Sequence, residues 1–479
     1  MSKKDKLKNK ELRSAGLDNE DLISKAREIY HQKFAPHGKS RVAKREFLEA
    51  IQSLTTEPEK FAGSPFSELA EMLLNSKFPQ SLSGVKNMDV PARPLSEPIA
   101  YVTFGKGGID GATFRQMNDA MSLPVTIAGA LMPDAHVGYG LPIGGVLATR
   151  KDIVIPYAVG MDIACRMCMS IFEPGAEWLE KNHEHLRNIL ISNTEFGNGP
   201  GNNQKDHSVL EDPAWESSAF IKQLQHKAAR QLGTSGGGNH FAEWGIIEME
   251  EGLSSARKSK QKYLALLTHS GSRGLGASVA QHFSKLAQKL TPLPAPFNKL
   301  AWLDLNSEEG AMYWEYMNLA GSYASACHHV IHEKIAADLG MKPVKIVENH
   351  HNFAWKEELP DGKEVIVHRK GATPAAGSEE GIIPGSMSQP GFYVRGKGNH
   401  QALNSAAHGA GRTLSRRKAK QVLDQHEVDL ELKKEGISLT GGGLDEAPMV
   451  YKNIHDVMNA QSELVEILGA FYPKIVRMA

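Results

Sequence analysis

Asp162 and Cys165 stand three residues apart, just past the apolar run Ile153–Val159, which reads as a buried strand, and the turn residue Gly160. A carboxylate and a thiolate at that spacing offer one hard and one soft donor, and a thiolate can bridge two divalent ions. The other reading of this stretch alone is a small buried cysteine beside a capping aspartate. Downstream, two more apolar runs lead into ligand-type residues: Tyr263–Leu267 precedes Thr268-His269, and Val344–Val347 precedes Glu348-Asn-His350-His351-Asn352. Gly233–Gly238 opens onto Asn239, His240, Phe241, Ala242 and Glu243, where successive glycines let backbone approach a ligand closely. One thiolate, one carboxylate and three histidines, His240, His269 and His351, suffice for two sulfur-bridged divalent ions. Such a pair polarises phosphoryl oxygens. Imidazole and carboxylate donors suit manganese or zinc without choosing between them.

His408 is the candidate nucleophile. It sits among small residues, Asn404–Gly411, and Arg412, Arg416, Arg417 and Lys418 follow within ten positions. An accessible imidazole with cations placed where negative charge develops is the pattern of attack on a phosphate. A helix N-terminus with a basic surface explains the cations but not the glycines. Asp134 and His136, two residues apart, suit support of a neighbouring site, a phosphate contact or a plain hydrogen-bonded turn. Cys165 and Cys168 form a C-x-x-C, but the third cysteine, Cys327, is remote, so a four-cysteine zinc site is excluded. Cys168 is read as core. His328, His329 and His332 share one face of a helix expected over residues 311–339 and are read as surface histidines.

The elements that must hold these groups alternate short β-type runs with glycine turns and a few helices, which argues α+β rather than a doubly wound parallel sheet. Gly105–Gly108, Gly138–Gly140 and Gly144-Gly145 lack the spacing of a P-loop or a dinucleotide fingerprint. Residues 1–95 differ from the rest. The first fifty carry thirteen Lys or Arg against eight Asp or Glu, and helical periodicity appears in Leu22–Tyr30, Phe47–Leu54 and Phe66–Leu73, with Asp18 a cap for the first. A helical extension and proline-bearing linker therefore precede a catalytic domain over residues 96–479. Its basic excess reads as a solvated helix face before an RNA contact. Across all 479 residues, 55 basic and 55 acidic groups cancel, so any nucleic-acid surface is local. Three cysteines, no apolar stretch of membrane-spanning length and no signal-peptide core point to a cytoplasmic protein.

Together, Asp162-Ile-Ala-Cys165, Gly237–Glu243, His269-Ser-Gly-Ser-Arg273-Gly, His350-His-Asn352, Arg369-Lys-Gly-Ala-Thr-Pro374, Pro384-Gly-Ser-Met387 and His408-Gly-Ala-Gly-Arg412 resemble the RtcB family of GTP- and manganese-dependent RNA ligases, over roughly residues 99–479. The resemblance implies a large mixed domain with a central cleft. It assigns Asp162, Cys165 and His240 to one manganese, and Cys165, His269 and His351 to the other. By it, His408 takes GMP from GTP. Asn239, His240, Phe241, Ala242, Glu243, His351, Asn352, Pro384, Gly385, Ser386, Met387, His408, Gly409, Ala410 and Gly411 would line the nucleotide pocket. Arg273, Arg412 and Arg416 would meet RNA phosphate. The substrates would be RNA ends carrying a 3′-phosphate or 2′,3′-cyclic phosphate and a 5′-hydroxyl, for tRNA splicing or repair, with any activating protein partner left open. The chain departs from the family pattern in three places. Gly391 stands where a serine is usual, Cys327-His328 where an Asn-Arg pair is usual, and no lysine occupies its usual place near the C-terminus. Guanine selectivity is the property these departures put in question. A binuclear phosphoesterase using water, or an RNA-binding relative without ligase activity, are the alternative functions.

Overall fold

A computed structural model describes residues 7–17, 20–30, 34, 41–56, 61, 64–76, 94–197, 201, 206–251 and 261–479. The chain divides into two compact units, Met1–Lys86 and Asn87–Ala479. The first unit contains helices Asn9–Ser14, Glu20–Ile29, Arg41–Thr56 and Ser67–Ser76. Their apolar stripes close on one another: Leu12, Ile23, Phe47, Ile51 and Leu69 form a shared core. Tyr30 meets Phe47 edge-on at 5.0 Å between ring centroids. Asp18, the expected cap, lies outside the described residues.

The second unit mixes helices with two main sheets, in keeping with the α+β expectation. One sheet has five strands in the order Val102–Thr103, Thr126–His136, Ile143–Arg150, Glu364–Lys370, Asn352–Glu358. The other runs Glu380–Ile383, Gly391–Gly396, Val465–Met478, Phe241–Met249, Gln261–Ser270, Arg166–Phe172, Lys345–His350, with Ser438–Thr440 pairing beside Val465–Met478. Side chains alternate across this sheet, and the alternation decides what reaches the site. Phe172, Trp244, Leu264 and Leu266 face helices His183–Asn193 and Glu308–Leu339. Met167, Met169, Ala265 and Leu267 take the opposite face with Val347, Ile382 and Phe471.

The helix Glu308–Leu339 covers the expected 311–339 and is capped at both ends. The Ser307 hydroxyl accepts from the Gly310 N–H at 3.1 Å, and Gly340 closes it with φ +69°. Two readings are corrected. Only Ile153–Val154 of the run ending at Val159 is strand, because Pro156 starts a one-turn helix, Pro156–Val159. His328 and His332 are not surface residues: both are buried, because the helix turns them toward the sheet, where they bond Thr268. His329 alone of the three remains half-exposed. Among the described residues no helix is long and apolar enough to cross a membrane.

Candidate active site

The turn after Gly160 carries Asp162 and Cys165 and is pinned from both sides. Cys165 N–H donates to Asp162 O at 3.2 Å, and Cys165 O accepts from His351 N–H at 3.0 Å. Ala164 occupies the left-handed region, φ +55°, and its N–H donates to Asn352 O at 2.7 Å. A non-glycine residue there costs about 1–3 kcal/mol and persists only where its surroundings enforce it. The Asn352 side chain donates to Asp162 O at 3.2 Å and accepts from Gly371 N–H at 2.8 Å, locking this turn to the next. Gly271 has no alternative, since a Cβ there would lie 2.1 Å from Asp162 Oδ1.

Strand register delivers the histidines to the same point. Phe241 and Met167 flank His269 on its two neighbouring strands, so His240 ends up just before one strand and His269 near the end of the next. Cys165 Sγ lies 3.1 Å from His269 Nε2 and 3.5 Å from His240 Nε2. His240 Nε2 lies 2.9 Å from Asp162 Oδ2, and His269 Nε2 lies 3.3 Å from His351 Nε2. Donor atoms of Asp162, Cys165 and His240 fall within 4.8 Å of one another, as do those of Cys165, His269 and His351.

The hydrogen bonds fix which ring nitrogens are bare. His240 Nδ1 donates to Ser235 O at 2.7 Å and His269 Nδ1 to Asn239 O at 3.1 Å; a carbonyl only accepts, so both Nε2 atoms present lone pairs inward. These lone pairs then face the Asp162 carboxylate, the Cys165 sulfur and His351 Nε2. That crowding of acceptors fits cations, with outer carbonyls orienting the imidazoles as they do around bound metal. Burial holds His269 down to about 3, pushes the Cys165 thiol well up with Asp162 adding to it, and pushes His351 well down. His351 Nδ1 is buried without a hydrogen-bond partner.

His408 stands beside this cluster, its ring centroid 4.8 Å from that of His351. Its Nδ1 lies 2.6 Å from Asp134 Oδ2, and its backbone N–H donates to the same oxygen at 3.2 Å. Asp134 is fully buried. Gly411 permits the pairing, because a Cβ there would meet Asp134 O at 2.0 Å. All of this borders a cavity of about 420 Å³, a size suited to a nucleotide.

Most of the residues read from the sequence meet here. Asp162, Cys165, Asn239, Phe241, Glu243, His269, His351, Asn352, Pro384, Gly385, Ser386, Met387, His408, Gly409, Ala410, Gly411, Arg412 and Arg416 line the cavity. His240 joins through the Asp162–Cys165 cluster. Two do not line it. Ala242 follows strand alternation onto the helix-facing side, with Trp244 and Leu264. Arg273 turns away to hold the glycine loop, donating to Thr234 Oγ1 at 3.1 Å and Gly197 O at 3.2 Å. Arg412 and Arg416 reach the rim already paired with Glu446, at 3.1 and 2.6 Å. Burial alone pushes the Glu243 carboxyl up to about 8, and Ser386 Oγ is buried without a partner.

Sequence reading missed Lys370 and did not assign Asp134 to His408. Lys370 lines the cavity, donates to Tyr157 O at 3.0 Å and to Tyr139 O, and is held down to about 7 by burial. Its signal was the Arg369-Lys370-Gly371 string, where strand alternation puts Arg369 against Glu357 and sends Lys370 the other way.

The profile described as tRNA-splicing ligase RtcB matches residues 116–216 and 200–478. The chain belongs to the RtcB family. Relatives agree over most of their length. The RNA-splicing ligase RtcB of Escherichia coli K12 is 33% identical over 375 residues, 71% of this chain and 87% of the relative. The tRNA-splicing ligases RtcB of Nanoarchaeum equitans and Thermococcus kodakarensis are each 30% identical, covering 76% and 79% of this chain and 91% and 92% of theirs. The clusters Asp162–Cys165–His240 and Cys165–His269–His351 thus sit in an RtcB chain as groups able to bind metal.

Proposed function

We propose that this RtcB chain joins RNA ends bearing a 3′-phosphate or 2′,3′-cyclic phosphate to 5′-hydroxyl ends, through a histidine–GMP intermediate on its catalytic domain, residues 96–479. The observation that carries this is the seat of His408: Nδ1 against the buried Asp134 carboxylate, with His351 and its donor cluster alongside. Nδ1–H donates to Asp134, leaving the Nε2 lone pair for attack. That atom bonds to the α-phosphorus of GTP as the bond to the β-phosphate oxygen breaks and pyrophosphate leaves. Asp134 stabilises the positive charge that the imidazole acquires.

A 2′,3′-cyclic phosphate is first opened by water, its P–O2′ bond breaking, to give the 3′-phosphate. The 3′-phosphate oxygen of RNA then takes the GMP from His408, and the resulting diphosphate carries GMP as a good leaving group. The 5′-hydroxyl of the second end attacks the RNA phosphorus and GMP departs. Asp162, Cys165 and His240 would hold one manganese ion, and Cys165, His269 and His351 the other; bound there, such ions would neutralise charge on the phosphoryl oxygens. Asn239, Phe241, Glu243, Pro384–Met387 and Gly409–Gly411 enclose the nucleotide, and Arg416 supplies a cation near it. The three cysteines are free, which suits a cytoplasmic setting.

Incubation of full-length protein with manganese, GTP and two RNA oligonucleotides, one ending in a 3′-phosphate and one starting with a 5′-hydroxyl, tests this. A joined product requires both ions and nucleotide. Release of free phosphate with no joined product supports a phosphoesterase instead.

A further inference from the structure

A second sulfur–imidazole cluster lies on the opposite, helix-packed face of the same sheet. Cys168 and Thr268 are direct cross-strand partners on Arg166–Phe172 and Gln261–Ser270. Above them the helix Glu308–Leu339 presents His328 and His332, four residues apart and so on one face. Donor atoms of Cys168, His328 and His332 all fall within 4.8 Å of one another, and all three residues are buried. We propose that Cys168 Sγ, His328 Nδ1 and His332 Nε2 bind a zinc-class divalent ion that pins this helix to the sheet, with Thr268 Oγ1 facing the same point.

The outer bonds of the two imidazoles fit that role. His328 Nε2 lies 3.2 Å from Ser270 O, which can only accept, so Nε2 carries the proton and Nδ1 is bare. His332 Nδ1 has Ser170 Oγ at 2.7 Å, a hydroxyl able to accept its proton. Each ring therefore has an outward partner to orient it, the arrangement that supports metal-ligating histidines. The inward atoms, His328 Nδ1 and His332 Nε2, converge on Thr268 Oγ1 at 2.6 and 2.8 Å. Cys168 Sγ is free, buried and without a hydrogen-bond partner among the described residues. Thiolate with two imidazoles is a zinc-type donor set, and tetrahedral zinc separates its ligands by roughly 3.5 Å, so the cluster has only to contract.

Without an ion the same atoms form a closed relay, and the two states differ in one proton. The single proton of Thr268 goes to His328 Nδ1, His332 Nε2–H donates to Thr268, and the Ser170 hydroxyl donates to His332 Nδ1. Metal binding expels the Cys168 thiol proton to solvent and moves the His332 proton from Nε2 to Nδ1. Cys165 and His269, on the other side of the sheet, are not ligands of this ion, so the site stands independently of the ligase reading.

The test uses full-length protein carrying Cys165→Ser and His351→Ala, which removes sulfur from the other cluster. After stripping with a chelator, Co2+ titration should fill one tight equivalent with a thiolate-to-cobalt charge-transfer band, displaced by Zn2+. Adding Cys168→Ser should abolish the band, whereas adding Cys327→Ser should leave it. Absence of the band in the starting variant, or its survival in Cys168→Ser, overturns the site. Melting curves guard against misfolding. In chelator the Cys168→Ser form should melt with its parent, and Zn2+ should raise the parent's Tm alone; an equal rise in both also overturns it.

Discussion

The Asp134 carboxylate, fully buried, accepts the Nδ1–H hydrogen bond of His408 at 2.6 Å and thereby chooses the nitrogen left bare. A carboxamide in place of the Asp134 carboxylate, turned to donate to Nδ1, would force the imidazole proton onto Nε2, the atom proposed to attack. Asp134→Asn should therefore cut the rate of His408 guanylylation about 100-fold or more while leaving GTP affinity within a few-fold. Rapid-quench labelling and equilibrium binding measure the two. A rate within threefold of the parent would show that the pairing is merely structural.

Cys165 Sγ is common to both donor clusters. Cys165→Ala should weaken manganese binding more than about 100-fold, beyond the loss expected from an outer-shell change. Electron paramagnetic resonance of free Mn2+ reads this directly. Unchanged affinity would remove the sulfur bridge from the proposal.

Gly391, Val476 and Met478 line the cavity, with no cation from the C-terminal strand among its lining residues. Arg477 alternates away and donates to Leu190 O at 3.2 Å on the far face. ATP should then label the protein within about tenfold of GTP, a gap of about 1.4 kcal/mol. A preference for GTP of several hundredfold would show that other groups read the guanine.

Acid should unfold the chain early. His368 is buried as a neutral tautomer: Nε2 accepts from Ile155 N–H at 2.9 Å and Nδ1 donates to Leu147 O at 3.1 Å. Burial holds His368 and His136 down to about 4, and His350 down to about 3. Folded values below the unfolded value of about 6.5 mean that the unfolded chain binds protons first. Stability is complete above about pH 6.5 and falls as pH drops toward 4. Urea midpoints should decline from about pH 7 to pH 5, and a flat profile would contradict these assignments.

The unit Met1–Lys86 has its own core, built from Leu12, Phe47, Ile51 and Leu69. A chain starting at Asn87 should unfold cooperatively and still take up label from GTP. Loss of cooperative unfolding would mean that the second unit depends on the first.

Much of the site was legible because ligand-type residues punctuate apolar runs. His269 and His351 follow such runs, and the cross-strand register carried both to Cys165. What stayed hidden depends on which way a strand or helix faces. Period-two alternation removed Ala242 from the cavity and brought Lys370 to it. The helix Glu308–Leu339 turned His328 and His332 inward, a choice left open by apolar residues that are not confined to one stripe of it. Pro156 broke the expected strand after two residues. The Asp134–His408 pairing spans 274 positions, and only the packing of the strand Thr126–His136 against Ser405–Gly411 reveals it.

The covalent step is tested most directly by incubating the full chain with manganese and α-labelled GTP, digesting it under alkaline conditions and locating the adduct by mass spectrometry. The expected result is one GMP on the peptide containing His408, absent from His408→Ala. Adduct on another residue, or undiminished labelling of His408→Ala, would contradict it.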